Sequence, residues 1–169
     1  REHLDARDVT HETTELLGLG FAPPTRDSLI THLRARGYSD ELLLRSGLAT
    51  ARDGQPMIDR FRNRLVVPIA RDTGSVIAFG ARALQPDQQP KYLTSRETPI
   101  YSKARTLYGL HLAKSAIRKA GYAVLVEGYF DLAQAVQAGV TPVVAACGTA
   151  VSEQQVKLLK RFTSKVIVS

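Results

Sequence analysis

The sequence predicts an α/β protein: a basic, mixed α+β part over residues 1–119, then the beginning of a parallel sheet over residues 120–169, cut off at its third strand. Three observations predict this. Apolar runs at 123–126, 142–146 and 165–168 are too short for helices and alternate with amphipathic stretches, the pattern of parallel strands covered on both faces. Two β-type runs flank Asp72-Thr73-Gly74, the turn of a hairpin. The positive charge is concentrated in the middle of the chain: residues 56–119 hold 12 basic and 4 acidic side chains, a net of +8, against −2 before them and +1 after.

Residues 1–50 read as mostly helical. Leu29, Ile30 and Leu33 keep helical spacing after Pro23-Pro24, and Leu42 to Leu44 follow the cap residues Ser39 and Asp40. The hairpin runs are 65–69 and 75–79, and Pro68, lacking an N–H, suggests an edge position or a bulge. Residues 85–103 are polar and proline-bearing, so a long surface loop is expected. Residues 104–120 predict a helix with Leu110, Ala113, Ile117 and Ala120 on one face and Gly121 as its stop.

In the last third, the segment from Tyr129 to Ala138 is helical, with Leu132, Ala133 and Val136 inward and Gly139 ending it. A Ser152-x-x-Gln155 capping box opens a second helix, expected to run to Phe162. Parallel α/β sheets bind ligands beyond the carboxyl ends of their strands. Because the sequence stops as its third strand reaches that edge, the site is expected to be incomplete here.

Composition excludes several classes. The 169 residues carry 23 Lys+Arg against 16 Asp+Glu, a net of +7, and 44% are apolar, which argues against intrinsic disorder. A single cysteine rules out an internal disulfide framework, and no CxxC pair suggests zinc. No apolar run approaches the ~18 residues of a membrane span, and no apolar signal region opens the chain, so a cytoplasmic protein is expected. The basic block is either the footprint of a polyanion or a solvated face.

Glu127 follows the first parallel strand directly, Gly128 permits a tight turn, and Asp131 stands four residues on in the first helical turn. The two carboxylates can face one cleft, where a hard cation such as Mg²⁺ would bridge them to phosphates. The plainer reading makes Asp131 the helix-start acid that the dipole favours and Glu127 a solvated loop residue. Cys147-Gly148-Thr149 ends the second strand, and backbone N–H groups there could hold an anion or simply form a turn. Cys147 has no basic or His neighbour in sequence and reads as a small buried side chain; His3, His11, His32 and His111 lack metal-ligand spacing.

One ordered series carries a family signal. Asp59-Arg60-Phe61-Arg62-Asn63-Arg64, Pro68-Ile69, Phe79-Gly80-Ala81-Arg82, Pro90-Lys91-Tyr92-Leu93, Glu97-Thr98-Pro99, Lys103 and Leu107-Tyr108-Gly109-Leu110 precede Glu127-Gly128-Tyr129-Phe130-Asp131 and Gly148-Thr149-Ala150. Together with Leu19-Gly20-Phe21-Ala22-Pro23, this resembles the catalytic core of bacterial DnaG-type primases over essentially the whole chain. The resemblance implies a basic α+β subdomain over 1–119 followed by a partial TOPRIM domain, a Rossmann-like parallel sheet, over 120–169. It implies short RNA primers made on single-stranded DNA from ribonucleoside triphosphates, by nucleotidyl transfer assisted by Mg²⁺ or Mn²⁺.

By motif, Glu127 is then the TOPRIM glutamate, a metal ligand or general acid/base, and Asp131 the trailing acid. Arg60, Arg62, Arg64, Arg82, Lys91, Lys103 and Arg7 match basic positions facing template or triphosphate. Tyr92 is placed either to stack on a base or to pack in its loop. A replicative helicase would dock through a region outside this sequence.

Departures from the pattern are Ala81 for a second glycine, Thr94 and Arg96 for Asn and Pro, and Ala146-Cys147 for Ser-Leu. The family's Asp-x-Asp metal motif would begin just past Ser169, so this stretch alone is expected to bind Mg²⁺ weakly and to make no primer. Rival readings are a TOPRIM nuclease or topoisomerase and a non-catalytic nucleic-acid-binding module.

Overall fold

The computed structural model describes residues 2–147 and 150–169. Helix α1 (Glu2–Asp5) is one turn, closed by the Val9 N–H on the Leu4 carbonyl at 3.0 Å. Thr10 caps α2 (His11–Leu16) by accepting the Thr13 N–H. After β1 (Gly20–Ala22) come the two helices expected from the leucine spacing, α3 (Ser28–Ala35) and α4 (Asp40–Arg45), the latter capped by Ser39 as predicted.

Asp27, at the start of α3, makes no side-chain cap. The cap comes instead from the strand pair β2 (Ala49–Thr50) and β3 (Ile58–Asp59). The buried Asp59 carboxylate accepts the Leu29 N–H at 2.8 Å and the Ile30 N–H at 3.0 Å. A helix start has donors with no partner inside the helix, and buried donors must be paired. Ile30, Leu43 and Ala49, with Leu33 and Met57, form the local core.

β4 (Arg64–Ala70) and β5 (Val76–Ala83) flank the expected turn, closed by the Arg71 N–H on the Ser75 carbonyl at 2.9 Å. The sheet order is β1-β4-β5-β6, so β4 is an interior strand. Pro68 nevertheless lies past Val66, the last residue of β4 paired with β1, and the strand is locally an edge there. The predicted loop over 85–103 is interrupted by β6 (Tyr92–Thr94), which pairs antiparallel with β5 through Gly80↔Thr94 and Arg82↔Tyr92. Three residues are too few for an alternating pattern to register.

A 3-10 turn spans Lys103–Arg105, and α5 runs Leu110–Ala120, six residues shorter at its start than the predicted 104–120. The reason is Gly109, at φ 80°, and Tyr108, which exchanges backbone hydrogen bonds with Ala145 at 2.9 and 3.0 Å instead of entering the helix. Then follow β7 (Ala123–Val126), α6 (Tyr129–Gln137), β8 (Val143–Ala145), α7 (Glu153–Leu159) and β9 (Val166–Val168). The sheet is parallel with order β8-β7-β9, as the alternating apolar runs predict. Its core joins Leu107, Leu110, Ile117, Leu125, Val144 and Leu159. The Ser152–Gln155 capping box forms at both of its bonds, and α7 ends at Leu159, short of Phe162.

The chain makes two compact units: Arg1–Gly18, Pro68–Ala78 and Tyr101–Ser169 in one, Leu19–Val67 and Phe79–Ile100 in the other. This grouping differs from the sequence division at 119/120, because α1, α2 and α5 gather with the parallel sheet. Among the described residues no helix is long and apolar enough to cross a membrane.

Candidate functional site

Three of the predicted basic residues meet in the unit built around β4–β6. Arg60, Arg62 and Arg64 line one hollow of about 530 Å³ with Asn63, Gln88 and Pro90, and one carboxylate, that of Asp87, also lines it. Each guanidinium is held by backbone carbonyls: Arg60 donates to Thr94 O at 2.7 Å, Arg62 to Asp59 O, and Arg64 to Pro90 O at 2.7 Å and Gln89 O at 3.3 Å. Carbonyl dipoles orient a guanidinium without cancelling its charge. Among the described residues no carboxylate forms an ion pair with these three. Burial, and then the charge of Arg96, lowers the pKa of Arg60; burial, and then Arg62, lowers that of Arg64. Like charges are thus kept close and partly dehydrated, which makes the hollow attractive to a polyanion.

Arg82 and Lys91 do not line that hollow. Arg82 is buried and donates to the Tyr92 hydroxyl at 2.7 Å, its guanidinium 5.3 Å from the ring centre, so the pair holds β5 to β6. Lys91 is exposed, and its carbonyl accepts the Ala83 N–H.

In the other unit, Glu127 stands exposed at the carboxyl end of β7, the central strand of the parallel sheet, and its carbonyl accepts the Cys147 N–H at 2.9 Å. Asp131 Oδ2 accepts the Gly128 N–H at 2.8 Å, closing the start of α6. Asp131 is therefore the helix-start acid that its position allows, with its second oxygen left over. Asp131 and Arg7 line a shared hollow of about 450 Å³ with His3, Phe130 and Gln134, which Glu127 does not line. The Arg7 guanidinium lies 4.6 Å from the Phe130 ring centre.

Lys103 is exposed on the 3-10 turn, and its charge bears on Cys147. Burial pushes the Cys147 thiol up to about 12; its side chain is half-buried, not enclosed as its sequence setting suggests. Burial, and then Cys147, raises Tyr108 likewise. Gly148 and Thr149, where an anion-binding turn is expected, lie outside the described residues.

The donor set falls short of a complete divalent-metal site. Such a cation takes six or more oxygens, several from water. Here one carboxylate is open, the other is half engaged in a cap, and among the described residues no three His, Cys, Asp or Glu gather as a metal-binding group.

Sequence reasoning assigned no role to Phe130, Gln134 or Gln137. Sequence shows only that they recur at i, i+4 and i+7, one face of α6; their partners are not visible in it. The capping role of Asp59 left no such trace, since its partners lie 30 and 29 positions away.

A glutamate at the end of the central parallel strand, followed by glycine and a capping aspartate, marks a class of α/β domain. The model of that class, the Toprim domain, matches residues 121–169. Residues 1–114 match the DNA primase catalytic core, N-terminal domain, and the chain belongs to that family. A DNA primase of Halalkalibacterium halodurans is 43% identical over 169 residues, covering 99% of this chain and 28% of that protein. The RNA polymerase domain of Mycobacterium tuberculosis primase DnaG superposes with a TM-score of 0.93 at 37% identity, over 99% of this chain and 57% of that one. A DnaG primase catalytic domain bound to single-stranded DNA superposes at 0.88, also at 37% identity, over 99% of this chain and 52% of that one. The chain thus spans little more than a quarter of the Halalkalibacterium relative and about half of the solved cores.

Proposed function

We propose that this chain is part of the polymerising core of a DNA primase, a DNA-directed RNA polymerase that makes short RNA primers on single-stranded DNA for replication. The observation that carries this is the hollow where Arg60, Arg62 and Arg64 converge, held by carbonyls and matched by no ion-paired carboxylate among the described residues. Phosphate contacts of this kind give affinity without sequence readout, as copying many templates demands. That a related core has been solved with single-stranded DNA supports it.

In this scheme Arg60, Arg62 and Arg64 hold the template, and Arg82 and Lys91, in the same unit, add to its positive charge. Arg7 and Lys103, in the unit of the parallel sheet, serve the triphosphate side, Arg7 through the hollow it shares with Asp131. Residues 1–119 are the basic subdomain, and 120–169 begin the TOPRIM part. The reaction joins a primer ribose 3′-oxygen to the α-phosphorus of a ribonucleoside triphosphate and releases pyrophosphate. Mg²⁺ or Mn²⁺ is the expected cofactor, with Glu127 its ligand in this stretch and Asp131 fixing the turn beside it. The companion expectation is that residues 1–169 alone bind the metal weakly and make no primer. The protein would act in the bacterial cytoplasm at the replication fork, with a replicative helicase as partner.

The test is single-stranded DNA binding by the full-length protein across a salt series. Removing one phosphate-contacting arginine, as in Arg62→Ala, should weaken binding to all sequences alike and flatten the slope of log K against log salt by about 0.7. An unchanged affinity and slope would separate the arginine hollow from the template.

A further inference from the structure

Arg7 follows a one-turn helix, and its N–H donates to the Leu4 carbonyl at 3.0 Å; the first buried apolar residue after the helix is Val9. A second set of bonds to this segment comes from α6. Gln134 Nε2 donates to the Arg7 carbonyl, and Gln137 Nε2 donates to the Asp8 carbonyl at 2.7 Å. The Oε1 of Gln137 meanwhile accepts the Thr10 N–H at 2.8 Å and the Thr13 hydroxyl at 3.2 Å. The donors and the carbonyls they serve are 127 and 129 positions apart in sequence. The carbonyls of Arg7 and Asp8 lie past the end of α1, where the chain turns at Asp8, φ 52°, and they gain a partner only by leaving the local segment.

The same face of α6 carries Phe130, whose ring receives the Arg7 guanidinium, and the first turn of α6 carries Asp131, which lines the same hollow. We propose that Gln134 and Gln137 are positioning residues: they clamp the backbone of residues 7–10 so that Arg7 is preset over Phe130 as a contact for the phosphates of an incoming ribonucleoside triphosphate. This rests on the role given to Arg7 above. The side-chain amide suits the task because one uncharged group both donates and accepts. A carboxylate at 137 would keep the acceptor for Thr10 and place an oxygen without a proton against the Asp8 carbonyl.

The test is nucleotide incorporation by the full-length protein on a single-stranded DNA template, with ribonucleoside triphosphate concentration varied. Arg7→Ala, Gln137→Glu and the double variant are compared with wild type. Gln137→Glu should raise the nucleotide KM about tenfold, the loss of roughly one strong hydrogen bond, while kcat changes less than KM. In the Arg7→Ala background the same change should add almost nothing, because the residue it positions is gone. A purely structural role predicts the same fold-loss in both backgrounds, and that result would overturn the proposal. So would a wild-type KM in Gln137→Glu alongside a raised KM in Arg7→Ala. A wild-type KM in Arg7→Ala would remove the role of Arg7 itself, and the clamp with it. Should Gln137→Glu fail to fold, Gln134→Ala removes the bond to the Arg7 carbonyl, leaves the Gln137 clamp in place, and is judged by the same comparison.

Discussion

Asp59 is 2% exposed, and both of its carboxylate oxygens accept backbone N–H groups from the first turn of α3. Its own N–H donates to the Arg26 carbonyl at 2.7 Å, and its carbonyl accepts from Arg62. One residue thus caps a helix with its side chain and anchors Arg62, one of the three arginines of the hollow, with its backbone. Truncation to alanine strands one buried donor, the Ile30 N–H, and one part-buried donor, the Leu29 N–H, each costing about 1–2 kcal/mol. Asp59→Ala should therefore lower the urea midpoint by the equivalent of about 2–4 kcal/mol. The Asp59→Asn variant keeps one acceptor oxygen and should lose less. An Asp59→Ala midpoint equal to wild type would show that α3 does not depend on this cap. In sequence Asp59 reads only as the first residue of an arginine-rich motif, because a cap supplied from 30 positions away has no local pattern.

At the scale of elements, long periodic stretches were legible and short or tertiary-determined ones were not. The leucines of α3 and α4, the Asp72-Thr73-Gly74 turn and the β7–α6–β8–α7–β9 alternation all stand where hydrophobic period and cap residues put them. β1 and β6 are three residues each and are set by pairing to β4 and β5, which periodicity does not see. The start of α5 was missed because Tyr108 is drawn to Ala145, a long-range contact. Gly109 makes that switch. It sits at φ 80°, and a Cβ there would stand 2.5 Å from Leu132 Cδ1. Gly109→Ala combines a left-handed backbone cost of about 1–2 kcal/mol with overpacking of about 1–3 kcal/mol. It should lower unfolding stability in denaturant by a sum in that range. A loss under about 1 kcal/mol would mean that the junction between Tyr108 and α5 relaxes freely.

For the whole molecule, charge and carboxylate placement carry the functional account. The +8 block of residues 56–119 was legible from the sequence as a polyanion footprint or a solvated face. Three of its arginines are held on one hollow, whereas Arg82 is spent on Tyr92, a distinction that charge counting cannot make. Glu127 was legible because a residue directly after a parallel strand must stand at the ligand-binding edge. What α6 does for Arg7 was not, since glutamines announce no chemistry until their partners are seen.

The central claim is that Glu127 serves the chemistry while the arginine hollow serves the strand, and one measurement separates the two. In the full-length protein, Glu127→Gln should lower nucleotide incorporation on a single-stranded template at least ~100-fold, with single-stranded DNA affinity within about twofold of wild type. Incorporation at the wild-type rate by Glu127→Gln would contradict the account.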